Sequence, residues 1–170
     1  VKTSGPNGGQ IKIAAGQDII IKAEGSGSIN RETNPSDGRN SGYLFNVEGM
    51  LRLENISVSG SKNDDGDKVT KNALVLVQGE NASLTLGSGA VLKDNANCAI
   101  DNGQGGAVYI SQGSLTMESG SRIEGCTASH GGGVHVGGSA RFTADRGASI
   151  TGCLSAQGPS VYLAEGADFN

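Results

Sequence analysis

One unit is written twice in the C-terminal half of this chain. Residues 105–130 read GGAVYISQGSLTMESGSRIEGCTASH, and residues 132–157 read GGVHVGGSARFTADRGASITGCLSAQ. A third pass opens at Gly158 with GPSVYLAEGADF and stops partway. Self-similarity at a period of about 20–50 residues marks a chain that stacks one supersecondary unit on the next. This unit is rich in Gly and carries no helical pattern. Its apolar residues alternate in and out with period two, as in Val108-Tyr109-Ile110, which is the signature of strands. The expectation is an all-β fold, a parallel β-solenoid.

Composition agrees. The chain has 170 residues, of which 29 are Gly, and neither a Gly-X-Y period nor a helical pattern runs through it. That length fits one domain. Net charge is −4 with no basic stripe, which argues against nucleic acid as a partner. No run of about 18 apolar residues is present, so insertion of this segment into a membrane as a helix is not expected. Three cysteines cannot form a closed framework. Cys126 and Cys153 share one place in successive units, and aligning VLKDN with RIEGC puts Asn95 opposite Cys126. Stacked strands lie about 4.8 Å apart, within the Cα range of a disulfide, but parallel Cβ vectors aim the sulfurs poorly. Two buried thiols are expected.

The unit also runs backwards through the sequence. ALVLVQGENASLTLGSGAVLKDN, FNVEGMLRLENISVSG and QIKIAAGQDIIIKAEGSGSI each fit the template. Five to six coils follow. Ile13, Val47, Val77, Ile110, Val136 and Leu163 should form one inward column, and Ile19, Leu51, Leu84, Leu115 and Phe142 another. Residues 1–104 make longer, irregular coils and residues 105–170 short, regular ones, within a single domain. The excess length falls at one corner, after the third strand, in segments 30–42, 59–72 and 94–106. Insertions confined to one corner map to one face, often the binding face. A β-sandwich built from hairpins would need the recurring internal order to be coincidence.

GGAVYISQGSLTMESGSRIEGCTASHGGGVHV resembles the right-handed parallel β-helix repeats of bacterial surface and adhesin-like proteins, which share the pectin-lyase-like fold. The match is close over residues 105–163 and looser over 41–104, and it departs where Cys126 and Cys153 stand in place of a corner Asn. The resemblance implies a right-handed parallel β-helix on an extracellular or cell-surface protein. Its repeat residues are structural and do not by themselves assign a function.

Three groups of residues carry candidate chemistry. Asp64, Asp65 and Asp67, with Lys68, could form a calcium or ligand site, although their spacing is not that of an EF-hand loop. Cys126, His130 and His135 lie close in sequence, but His135 falls on an outward strand face and His130 on the preceding turn, so the imidazoles should be exposed and should diverge. No metal and no cofactor are expected. Tyr109, His135 and Tyr162 occupy one outward position in successive coils, preceded by Leu76, and could stack on a sugar or peptide. The same ladder could simply stabilise the sheet surface.

The reading of the sequence is therefore a non-catalytic β-helix of a bacterial adhesin-like surface protein, a rigid display scaffold that binds a host or bacterial surface glycan or protein. The alternative is a pectin-lyase-like, carbohydrate-active module, a polysaccharide lyase or glycoside hydrolase. It is disfavoured because the acids sit in a corner segment and not on a stiff face. Ala167 and Phe169 still follow the core alternation, so Phe169 should be exposed and further coils or a following domain should continue the stack.

Overall fold

The computed structural model describes residues 10–31, 42–60, 71–97 and 103–170. Every element is a strand. The first coil holds β1 (Ile11–Ile13) and β2 (Asp18–Asn30), the second β3 (Phe45–Val47) and β4 (Met50–Ser59). The third holds β5 (Val75–Val77), β6 (Ser83–Leu86) and β7 (Val91–Lys93). The fourth holds β8 (Val108–Met117), β9 (Arg122–Glu124) and β10 (Thr127–His130), and the fifth β11 (Val134–Ala144), β12 (Ser149–Thr151) and β13 (Leu154–Gln157). β14 (Val161–Leu163) and β15 (Asp168–Phe169) begin a sixth pass.

All strand pairs are parallel and join equivalent places in successive coils. The chain is a parallel β-solenoid. Three ladders result. The first is β1-β3-β5-β8-β11-β14. The second runs through the start of β2 and β4, then β6, the end of β8, the end of β11 and β15. The third runs through the ends of β2 and β4, then β7, β9 and β12. From its first to its last member the chain makes about four turns, slightly fewer than the coils counted in the sequence. The sixth pass supplies two short strands and no third-ladder member. Several strands also run longer than the template suggested, because β2, β4, β8 and β11 bend round a corner and continue from one ladder into the next.

The interior is filled by the expected columns. Phe45, Val47, Val75, Val77, Leu84, Leu92, Val108, Ile110, Leu115, Ile123, Val134 and Val136 are fully buried. Ile19 and Leu163 keep their register, opposite Leu51 and Val136, but are 36% and 44% exposed. Each occupies an end coil of the described stack, with an in-register neighbour on one side only among the described residues. Phe169 is 53% exposed and touches Phe142 on its inner side, with ring centroids 5.2 Å apart.

Two arginines cross whole coils. Arg31, read in the sequence as part of the corner segment 30–42, is buried inside the stack. Its Nη1 donates to Asn95 Oδ1 at 3.1 Å and its Nη2 to the Ala73 carbonyl at 2.7 Å. It reaches from coil one to coil three, where its partner Asn95 packs against Gly60 so closely that any Cβ there would collide with it. Burial lowers the Arg31 pKa to about 10, so it stays a cation at neutral pH. On the outer face of the second ladder, Arg52 reaches from coil two to coil four. It donates two hydrogen bonds to the Glu118 carboxylate, both at 2.7 Å, and one to Glu54 at 2.6 Å. These bonds raise the Arg52 pKa and hold the Glu118 carboxyl below its usual range. Gly87 makes the crossing possible, since an added Cβ there would lie 2.9 Å from Arg52 Nη2.

Register also confirms the place of Asn95. Lys93 pairs Glu124 and Glu124 pairs Thr151, which sets Asn95, Cys126 and Cys153 in one column. Both thiols are buried, donating to the Glu124 and Thr151 carbonyls at 3.4 and 3.6 Å. A hydrogen bond to Cys153, then burial, pushes the Cys126 thiol well above its usual pKa. Such thiols are poor nucleophiles.

Candidate functional site

The first ladder turns one column outward through every coil: Lys12, Asn46, Leu76, Tyr109, His135 and Tyr162. Its N-terminal part is polar and internally paired. Lys12 bridges Glu48 at 2.9 Å, and Gln78 donates to Asn46 at 3.0 Å and to Glu48 at 3.2 Å. The Lys12 contact is the main reason that the Glu48 carboxyl titrates low.

The C-terminal part is a ring cluster. Tyr109 meets His135 edge-on with centroids 5.2 Å apart, and His135 stacks on Tyr162 at 4.9 Å. The sequence placed these three side chains together, and the structure agrees. It corrects the histidines. His130 does not diverge: β10 carries it back against the same face, 5.3 Å from Tyr162 and 6.4 Å from His135. His135 is therefore not an exposed imidazole but is 5% exposed, walled in by two tyrosines and His130. The Nδ1 atoms of His130 and His135 are both buried without a hydrogen-bond partner. Tyr43 joins the edge of the cluster, its pKa raised by burial and by the Tyr109 phenol. Sequence reasoning named His130 but set it apart from His135, and it missed Tyr43, because neither lies on a strand of the first ladder. Among the described residues no group of three or more His, Cys, Asp or Glu is arranged to hold a metal ion.

Burial, then the nearby His130, lowers the His135 pKa to about 4, and a hydrogen bond to the His130 backbone opposes this weakly. A histidine whose folded pKa lies below its unfolded value destabilises the fold as it becomes charged. Stability from this group is complete above about pH 6.5 and is lost as pH falls toward about 4, by up to about 3 kcal/mol. The expected result is that His135→Leu, which copies Leu76 of the same column, flattens the pH dependence of urea unfolding between pH 7 and 4. The partnered carboxylates Glu48, Glu54 and Glu118 also lose stability in acid, equally in both proteins. Identical slopes in the two proteins would contradict the assignment.

The cluster adjoins the variable corner. The connections β2–β3, β4–β5 and β7–β8 all leave the third ladder and enter the first. Asn97 closes the base of the third, its Nδ2 donating to the Gln104 and Gly105 carbonyls, both at 3.0 Å. In coils four and five the same corner is made by β10 and β13, which pair in a separate two-stranded sheet. Asp64, Asp65 and Asp67 fall outside the described residues. No protein-family model matches this chain, nor does any curated protein or solved structure.

Proposed function

We propose that this chain is a non-catalytic display scaffold from an extracellular, adhesin-like bacterial surface protein. Its rigid stack holds one corner surface against a glycan or protein on a host or bacterial cell. The observation that carries this reading is the confinement of the long connections to a single corner, beside the Tyr109–His130–His135–Tyr162 cluster. A solenoid with a private, variable edge on an otherwise regular body is suited to contact and not to turnover. The repeat's resemblance to adhesin-like β-helix repeats supports the same reading. On the described outward face of the first ladder, aromatic rings and paired polar groups stand where a polysaccharide-cleaving enzyme would need clustered acids.

The test is to shorten residues 32–41, 61–70 and 98–102 to the length of the corner that follows Cys126. Melting temperature should change little, because loop length costs little. Retention on glycan arrays and on bacterial or host cells should be lost. Unchanged retention would rule out the corner as the contact surface.

A further inference from the structure

A second concave surface lies at the turn between the first and second ladders, away from the corner just described. It is a cleft of about 510 Å³ lined by Glu80 of coil three, Gln112, Gly113 and Ser114 of coil four, and Ser139 and Arg141 of coil five. Its volume falls in the range of small-molecule sites. Glycine shapes it. Beside it, Gly137 and Gly138 stand against the single residue Ser111 as a bulge in β11. Gly113 (φ +87°) packs its backbone against the Gly79–Ala82 turn below, where a Cβ would overlap the Ala82 carbonyl.

The polar groups at this cleft differ from those on the neighbouring faces. There, Lys12, Glu48, Gln78, Arg52 and Glu118 are tied into pairs. Among the described residues, the side chains of Glu80, Gln112, Ser114 and Ser139 make no hydrogen bond or ion pair. Four free polar side chains from three coils thus converge on one depression: a carboxylate, an amide and two hydroxyls. Arg141, the one cation, already bridges Asp168 at 2.8 Å, and Glu80 adds a further negative charge. Polyanions are therefore disfavoured. Vicinal hydroxyls, each both donor and acceptor, match the set.

From this we infer that the cleft is a binding site for a neutral, hydroxyl-rich saccharide, independent of the corner surface. Glu80 and Gln112 take paired hydroxyls, and Ser114 and Ser139 the flanking ones, with Gly113 leaving the floor between them free of a side chain. The site is open and shallow, so affinity is in the millimolar range typical of single contacts of this kind.

The experiment is a backbone-amide NMR titration of the whole chain with maltotriose, cellotriose and mannotriose, and with trigalacturonate as the acidic counterpart. At least one neutral trisaccharide should shift Gln112, Gly113, Ser114 and Ser139. Gln112→Ala with Ser139→Ala should weaken that binding by about tenfold or more without changing the melting temperature. Glu80→Gln should weaken it less. The corner-shortened variant should bind the same sugar unchanged, which separates this site from the corner reading. The inference is overturned if no neutral trisaccharide shifts these amides. It is also overturned if the shifts map to Tyr109 and Tyr162, or if trigalacturonate binds more tightly.

Discussion

Leu115→Asp should leave a chain with no melting transition and a disordered far-UV spectrum. Leu115 is fully buried in the middle of the second ladder, between Leu84 and Phe142. No cation faces the interior at that position in either neighbouring coil, since its in-register partners are apolar. An unpaired carboxylate there either stays charged at a cost of several kcal/mol or takes up a proton, and in both cases the packing of Leu115 is lost. Net stabilities of about 5–15 kcal/mol do not absorb that together with the cavity it opens. The outward neighbour supplies the control. Thr116→Asp should melt within a few degrees of the parent, because its side chain points away from the core. A folded Leu115→Asp protein would mean that the second ladder does not face inward.

Gly106→Ala should be nearly as damaging for a different reason. Gly106 sits where the coil-four backbone passes closest to coil five. An added Cβ would overlap the Gly132 carbonyl and lie 2.9 Å from Cys126 Cβ. Its φ is not in the left-handed region, so the whole cost is steric. The obstacle is backbone held by ladder bonds on both sides, Gly106 N–H to the Gly131 carbonyl and Ala107 N–H to the Gly133 carbonyl. Prying the coils apart should cost at least about 3 kcal/mol. Gly152→Ala separates the two effects. Gly152 has φ +62° but its nearest contact is 3.7 Å away, so it should lose only the left-handed cost of about 1–2 kcal/mol. Chemical denaturation of the two variants measures both. Equal losses would show that coil spacing is less constrained than the geometry implies.

These two sites also show what a single sequence reveals about such a fold. The inward columns were legible because period-two alternation and the recurring Gly turns report on local geometry, and stacking repeats that geometry. Even the place of Asn95 against Cys126 followed from alignment alone. What the alternation could not report was anything set by a fold-back or by an absence of atoms. His130 meets His135 only because β10 returns along the corner. Arg31 looked like part of a surface segment because nothing in its neighbourhood announces a partner 64 residues away at Asn95. The cleft between the first and second ladders depends on the side chain that Gly113 lacks, which lets coil four settle on the Gly79–Ala82 turn. Ile19 and Leu163 were placed in the right columns but not with the right exposure, since exposure depends on neighbours along the axis and not on the residue's own coil.

The two crossing arginines change how such a stack comes apart. If each coil touched only the next, the rod would peel one rung at a time from either end, each rung leaving at its own small cost. Arg31 ties the first coil to the third, and Arg52 the second to the fourth. The first rung cannot leave without stripping a partner from the third, and the second cannot leave without releasing Glu118 in the fourth. The N-terminal four coils are thereby laced into one unit that opens together, while the fifth coil and the strands after it have no such lacing among the described residues. Under a pulling load the N-terminal part should yield in one step and the C-terminal part rung by rung.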